Sequence, residues 1–165
     1  HIFIESNSEL QISQKVCFKR NIEIRIHKNS KIEIGEGVLI DRGARLLSTN
    51  QSKIIIKKNS KIGPYCILNG GDNITIGDSC LISGFVYLQT STHQHKRGNY
   101  IKNQGYNHGE IHLNNDVWIG AHATILPNCQ LGEGSIIGSN TVVTKSVDPH
   151  GIYSGVPAKK IAERT

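Results

Sequence analysis

The chain has 165 residues, of which 17 are glycine and only 5% are aromatic, and its formal net charge at pH 7 is +6. This length predicts a single domain (residues 1–165) with a buried core, and no apolar run is long enough for a membrane-spanning helix. The positive charge suits acidic partners such as phosphates, whereas the lack of a nucleic-acid motif or of a basic stripe interleaved with aromatic residues argues against nucleic-acid binding.

The first 30 residues carry apolar residues at a spacing of six, but the repeat is less regular here than later in the chain. These apolar residues are Ile4, Leu10, Val16 and Ile22. We interpret residues 1–30 as an irregular first coil or cap. No basic segment followed by an apolar one is present to act as a secretory signal, and trimming ahead of His1 stays an open alternative.

From residue 34 onwards the spacing of six becomes strict, first in sets of three and then without a break. An α-helix repeats every 3.6 residues and a strand every two, so a period of six predicts a solenoid of short strands joined by tight corners. Sets of three indicate a triangular coil with one inward apolar residue on each side. The marked residues are Ile34, Ile40, Leu46, Ile56, Ile62, Leu68, Ile76, Ile82, Leu88, Leu113, Ile119, Ile125, Leu131, Ile137 and Val143.

One long interruption separates Leu88 from Leu113, and we expect an extruded loop there, over residues 89–112. The segment is polar and contains four histidines, His93, His95, His108 and His112. Insertions at the corners of a solenoid commonly form its working surface, and histidine transfers protons near neutral pH. Any one of these histidines alone is more simply an ordinary surface residue, but the set favours at least one functional histidine.

The repeat ends at Val147, and a short basic tail follows over residues 148–165. Lys145 at the last corner and Lys159 and Lys160 in the tail are candidates for binding phosphates. An ordinary solvated lysine surface is an equally good interpretation of these charges.

The four cysteines form no C-x-x-C pair, which argues against a metal or redox motif. Cys66, Cys80 and Cys129 each come four residues after an inward apolar position, where the pattern requires a small buried residue. We therefore expect free thiols that act as small apolar side chains in a reduced, cytoplasmic protein.

The segment NDVWIGAHATILPNCQLGEGSIIGSNTVVTKSV, followed by GVPAKKI, resembles the hexapeptide-repeat acyltransferases. Within this superfamily the chain is most similar to bacterial O-acetyltransferases that act on galactosides, maltose, capsule or lipopolysaccharide sugars, over about residues 60–162. The resemblance implies a left-handed parallel β-helix, which is an exception to the usual right-handed crossover. It also implies a homotrimer with acetyl-coenzyme A bound in grooves between subunits.

The resemblance implies that His93, in the motif Thr-Ser-Thr-His, is the catalytic base. His95 is then an acceptor contact or an orienting neighbour, and the reverse assignment of these two histidines stays open. Asn69 or Asp72 matches a position at the end of the preceding coil that contacts the acceptor. The residues that match cofactor-binding positions are Trp118, Gly120, Ala121, Ser139, Thr144, Lys145, Lys159 and Lys160.

These residues imply transfer of an acetyl group from acetyl-coenzyme A to a sugar hydroxyl of a bacterial surface polysaccharide or its precursor. The maltose-type enzymes begin with a helical segment before the coils, whereas this sequence is strand-like and β-branched from residue 1, which argues against their small-sugar acceptors. Three alternatives remain: an N-acetyltransferase of a nucleotide-linked amino sugar, a metalloenzyme of the γ carbonic anhydrase kind, and a non-catalytic solenoid. The acyltransferase-like tail argues against the metalloenzyme, and the absence of a threonine ladder argues against an ice-binding solenoid.

Overall fold

The computed structural model describes residues 1–165 as a left-handed parallel β-helix without α-helices, as the sequence predicted. Three sheets of seven, six and eight strands, parallel except for the last strand of the chain, form the sides of a triangular prism, and we name them A, B and C in that order. A short antiparallel hairpin leaves the corner between sheets A and B. No helix in the structure is long and apolar enough to cross a bilayer.

Each coil contributes one strand to each sheet in turn, and the path of the first four coils is uninterrupted. Their strands are β1 (Ile2–Ile4), β2 (Glu9–Ile12), β3 (Cys17–Phe18), β4 (Glu23–Ile26), β5 (Lys31–Ile34), β6 (Leu39–Ile40), β7 (Arg45–Ser48), β8 (Lys53–Ile56), β9 (Lys61–Ile62), β10 (Ile67–Gly70), β11 (Ile74–Ile76) and β12 (Leu81–Ile82).

The fifth coil is interrupted by the hairpin, and the last strand of the chain folds back antiparallel on its predecessor. The remaining elements are β13 (Tyr87–Gln89), β14 (Ser91–His93), a 3₁₀ turn (Ile101–Asn103), β15 (Tyr106–His108), β16 (Ile111–Leu113), β17 (Trp118–Ile119), β18 (Thr124–Ile125), β19 (Cys129–Leu131), β20 (Ile136–Ile137), β21 (Val142–Val143), β22 (Gly151–Ser154) and β23 (Lys159–Glu163).

The inward apolar positions predicted from residue 34 onwards are confirmed, since every one of them is buried. Strand register stacks them in vertical rows, because each strand pairs with its equivalent in the next coil. On sheet A this row consists of Ile24, Leu46, Leu68, Leu88, Ile125 and Val143. Such rows form one continuous core of 32 residues along the prism axis.

The corners are tight because one residue in most of them adopts a left-handed backbone conformation. Asn and Gly occupy several of these positions, as expected from their tolerance of positive φ. The corner between sheets C and A is unusual in placing Tyr65, Phe85 and His122 there, with φ between 56° and 61°. Their rings stack in successive coils, with centroid distances of 5.2 and 4.8 Å.

Residues 1–30 follow the same three-sided path as the later coils, and β1 to β3 pair in parallel with the second coil. Nothing in the structure covers the outer end of this coil, so Ile4 and Ile12 stay 43% and 46% exposed. The division into a cap, an extruded loop over residues 89–112 and a tail over residues 148–165 stays a prediction.

Three of the four cysteines are buried and none forms a disulfide, whereas Cys17 is exposed. Burial raises the pKa of the Cys66 thiol to about 11, and it also raises the pKa of Cys80 and Cys129. These thiols therefore stay protonated at neutral pH and serve as small core residues.

Candidate active site

The hairpin formed by β14 and β15 projects four polar side chains to one side. Ser91 pairs with His108, and His93 pairs with Tyr106. Because side chains alternate along a strand and directly paired residues share a face, these four lie on the same face of the hairpin. The rings of His93 and Tyr106 are in contact, with centroids 4.4 Å apart.

Thr90 anchors the base of this hairpin to the preceding coil. Its side chain is fully buried, and its Oγ1 donates to the carbonyl of Asn69 at 2.7 Å and accepts from the backbone N–H of Asp72 at 3.0 Å. Gly71 allows the close approach, because a Cβ at this position would overlap Ser91 Oγ. Thr90 and Gly71 therefore fix the hairpin to the prism, and neither residue was predicted from the sequence.

The side chain of Gln104 holds together the loop that joins β14 to β15. Its Oε1 accepts from the N–H of Lys96 at 2.8 Å, and its Nε2 donates to the carbonyls of Lys96 and Asn99 at 3.0 and 3.1 Å. A segment with no apolar core of its own thus keeps a defined shape through local hydrogen bonds.

A groove of about 450 Å³ lies between the hairpin and the outer surface of sheet A, at the corner between sheets A and B. We call it the hairpin groove. It is polar, with amide, hydroxyl, imidazole and phenol groups, and His93 occupies the hairpin face that borders it. Its lining residues are Lys28, Leu47, Thr49, Asn50, Asn69, Gly71, Ser91, Tyr106 and His108.

His95 lies beside a different cavity, of about 290 Å³, which is lined by Gln94, His95, Lys96 and Asn107. Its Nδ1 is 3.1 Å from the backbone carbonyl of His93. Since a carbonyl only accepts hydrogen bonds, Nδ1 is the donor in this contact. The structure thus separates the two candidate histidines, because His93 pairs with Tyr106 of the hairpin groove and His95 lines the other cavity.

The other histidines have different surroundings. His108 Nδ1 forms a 2.8 Å hydrogen bond with Ser91 Oγ inside the hairpin groove. His112 is half-buried on the outside of sheet B, with Nε2 3.2 Å from Asn114 Oδ1, and His122 stacks on Phe85. No three or more His, Cys, Asp or Glu side chains are arranged within the chain to hold a metal ion.

The two residues proposed to contact the acceptor occupy different places. Asn69 lines the hairpin groove, and its Nδ2 donates to Tyr87 Oη at 3.2 Å. The Asp72 carboxylate instead accepts from the backbone N–H of Asn73 at 2.7 Å and shapes the turn. The geometry thus brings Asn69, but not Asp72, to the groove bordered by His93.

Three of the proposed cofactor-binding residues, Gly120, Ala121 and Ser139, lie at the corner between sheets C and A. Gly120 is buried there, and a Cβ on it would come within 2.6 Å of the Ser139 backbone nitrogen. Ala121 accepts a hydrogen bond from Asn140 N–H at 2.9 Å, and Ser139 is exposed. Glycine therefore permits close stacking of successive corners, whose outer backbone is accessible to an extended ligand.

The proposed phosphate-binding residues lie on the last coil and the tail. Thr144 and Lys145 are exposed at the corner between sheets A and B, and Lys159 is exposed on β23. Lys145 and Lys159 form no ion pair in the structure. Lys160 differs, because its Nζ is 2.6 Å from Glu163 and 3.5 Å from Asp148, and the hydrogen bond to Glu163 raises its pKa.

Trp118 lies on the outer face of sheet C, where it is 46% exposed. Its Nε1 donates to Ser83 Oγ at 3.3 Å, and the ring lines a cavity with Leu81, Ile136 and Arg164. Trp118 thus points out of the coil, and its cavity lies on a different side of the prism from the hairpin groove.

Comparison with known families supports the interpretation of the repeat. The family model for the bacterial transferase hexapeptide (six repeats) matches residues 110–145. A Staphylococcus aureus (strain MRSA252) protein named as an acetyltransferase, SAR2635, is 30% identical over 161 residues, which cover 90% of this chain and 77% of that protein. The chain spans about half the length of other curated relatives, such as SAV2555 of strain Mu50, which is 38% identical over 105 residues, or 63% of this chain and 52% of that protein.

Solved structures show the same fold. AntD, an N-acyltransferase from Bacillus cereus, was solved in complex with dTDP and 3-hydroxybutyryl-CoA and is 28% identical, with a TM-score of 0.70 over 94% of this chain and 80% of AntD. A variant of AntD with dTDP-4-amino-4,6-dideoxyglucose and coenzyme A gives a TM-score of 0.80 at 28% identity over 96% and 83% of the two chains. A maltose O-acetyltransferase from Clostridium difficile 630 is 21% identical, with a TM-score of 0.66 over 91% and 67%, and shares the fold.

Proposed function

The chain belongs to the hexapeptide-repeat acyltransferases, and on this basis we propose that it transfers an acetyl group from acetyl-coenzyme A to a sugar hydroxyl of a bacterial surface polysaccharide or its precursor. The observation that supports this assignment best is the position of His93 on the hairpin face that borders a polar groove. The three buried free thiols favour a reducing, cytoplasmic location.

Acetyl-coenzyme A, when bound, supplies a thioester carbonyl that an alcohol can attack. An alcohol is a weak nucleophile, so His93 removes the proton of the acceptor hydroxyl as its oxygen attacks, and then returns a proton to the departing sulfur. Direct transfer of this kind needs no nucleophile from the protein. A backbone N–H of the hairpin or of a coil corner would stabilise the negative charge that develops on the carbonyl oxygen.

The proposed site requires more than one subunit. Within one chain, His93 belongs to the corner between sheets A and B, whereas Gly120 and Ala121 belong to the corner between sheets C and A. A neighbouring subunit would bring the second kind of corner to the hairpin of the first. We therefore expect a homotrimer with sites between subunits, and light scattering that shows a monomer at assay concentration would contradict this arrangement.

Lys145 is expected to bind a phosphate of coenzyme A, because its ammonium is exposed and lacks a carboxylate partner. Lys145→Ala should weaken coenzyme A binding about tenfold in calorimetry, the loss expected for one charge-assisted hydrogen bond. Lys53→Ala is the control, because Lys53 is also exposed but lies on β8 in the third coil, far from the last coil. Equal affinities of the Lys145 variant and the unmodified protein would refute this role.

N-acetylation of a nucleotide-linked amino sugar is the second candidate, and the similarity to AntD with its bound dTDP-amino sugar supports it. Mass analysis of products from a panel of nucleotide sugars, amino sugars and oligosaccharides would decide between the two reactions. An O-acetyl ester is removed by mild alkali, whereas an N-acetyl amide survives it. Failure to acetylate any member of the panel would count against both candidates.

A further inference from the structure

The hairpin groove contains one cation and no carboxylate among its lining residues. Lys28 lies at the corner between sheets A and B in the second coil, with a left-handed backbone at φ 53°. Its Nζ donates to Asn50 Oδ1 at 3.3 Å and forms no ion pair, whereas nearby Lys31 pairs with both Glu9 and Glu33. Lys28 therefore brings an uncompensated positive charge to the groove.

The nearest acid, Glu5, does not neutralise the Lys28 ammonium. Its carboxylate accepts from the backbone N–H of Lys28 at 2.6 Å and lies 3.8 Å from Nδ1 of His27. Glu5 lies on the preceding coil and is not among the residues that line the groove. The charge that faces the groove at this end is thus positive.

Asn50 connects Lys28 to the hairpin. Its Oδ1 accepts from Lys28, and its Nδ2 donates to the carbonyl of Gly71 at 3.5 Å, so both ends of the amide are engaged. Lys28, Asn50 and Gly71 occupy the same corner in three successive coils, which are spaced about 4.8 Å apart. The backbone of Lys28 therefore lies about 10 Å along the groove from Gly71, above which Ser91 and His108 are placed, and the ammonium reaches Asn50 on the coil between them.

We propose that the hairpin groove binds a sugar that carries an anionic group, with Lys28 holding that oxyanion and Asn50 fixing the direction of the lysine side chain. Asn69, Ser91 and His108 would hydrogen-bond the neutral part of the sugar. A charge-assisted hydrogen bond in a partly enclosed groove favours an anionic over a neutral ligand. That the hydroxyl beside His93 is then acetylated rests on the proposed function, whereas the preference for an anion rests on the groove itself.

Calorimetry with three sugars that differ in their charged group tests this inference on the intact chain. We expect glucose 1-phosphate, glucuronate or both to bind at least about tenfold more tightly than methyl glucoside. The relative affinities of the two anions show whether phosphate or carboxylate is the preferred group. Lys28→Asn should abolish the preference without strain, since asparagine tolerates positive φ, and Lys28→Arg should retain it.

Lys15→Asn is a matched control, because Lys15 is exposed, has φ 57°, and lies at a different corner in an ion pair with Glu36. Its affinities should equal those of the unmodified protein. The inference is wrong if all three sugars bind the unmodified protein equally, or if Lys28→Asn keeps the anion preference. An anion preference that depends on Lys28, without acetyl transfer to any sugar, would uphold the inference and reject the proposed function.

Discussion

Replacing His93 by alanine is expected to lower the turnover number by about two to four orders of magnitude, which is the usual effect of removing a general base. The imidazole lies on the hairpin face bordering the groove, in contact with Tyr106, and it contributes no buried surface to the core. Coenzyme A affinity and thermal unfolding should therefore change little. Steady-state kinetics together with calorimetry of the same preparation separate these effects.

His95→Ala distinguishes the two possible assignments of the base. Nδ1 of His95 donates to the His93 carbonyl, and this side chain lies beside another cavity. We expect a smaller loss of turnover than for His93→Ala. His112→Ala, on the outside of sheet B, serves as the control and should leave turnover nearly unchanged. Near-normal turnover of the His93 variant, with a severe loss in the His95 variant, would reverse the assignment.

The architecture could be predicted because the period of six identifies the side chains that face inward. Ile56 and Ile76, for example, pair in register on sheet B and are both buried. In a solenoid every coil covers its neighbour, so the pattern of one coil determines the packing of the next. The regular core could therefore be predicted from little more than the positions of its apolar residues.

The candidate site was only partly predictable, because it depends on contacts that the spacing does not encode. The hairpin pairs His93 directly with Tyr106, whereas His95 lies beyond the end of β14 and beside another cavity. Lys28 precedes His93 by 65 residues and nevertheless lines the hairpin groove, since corners of successive coils are stacked. Such proximity can be predicted only when the number of residues in each coil is known.

Replacing Ile54 by alanine is expected to lower the free energy of unfolding by about 2–5 kcal/mol, the range for truncating a fully buried aliphatic side chain. Ile54 faces Ile32 and Ile74 in the adjacent coils and lies against Gly70, at the end of the strand that carries Asn69. The cavity would therefore loosen the floor of the hairpin groove as well as the core.

Ile55→Ala is the matched control for this change, because Ile55 is the next residue of β8 and points outward. Ile55→Ala removes the same atoms from a half-buried position, so the free energy of unfolding should fall by less than about 1 kcal/mol. Urea unfolding of both variants at one fixed protein concentration measures the difference, since subunit association adds to the apparent stability. Equal losses for the two variants would mean that the side chain of Ile54 is not enclosed by the three sheets, and the inward assignment of the whole sheet B row would then be untenable.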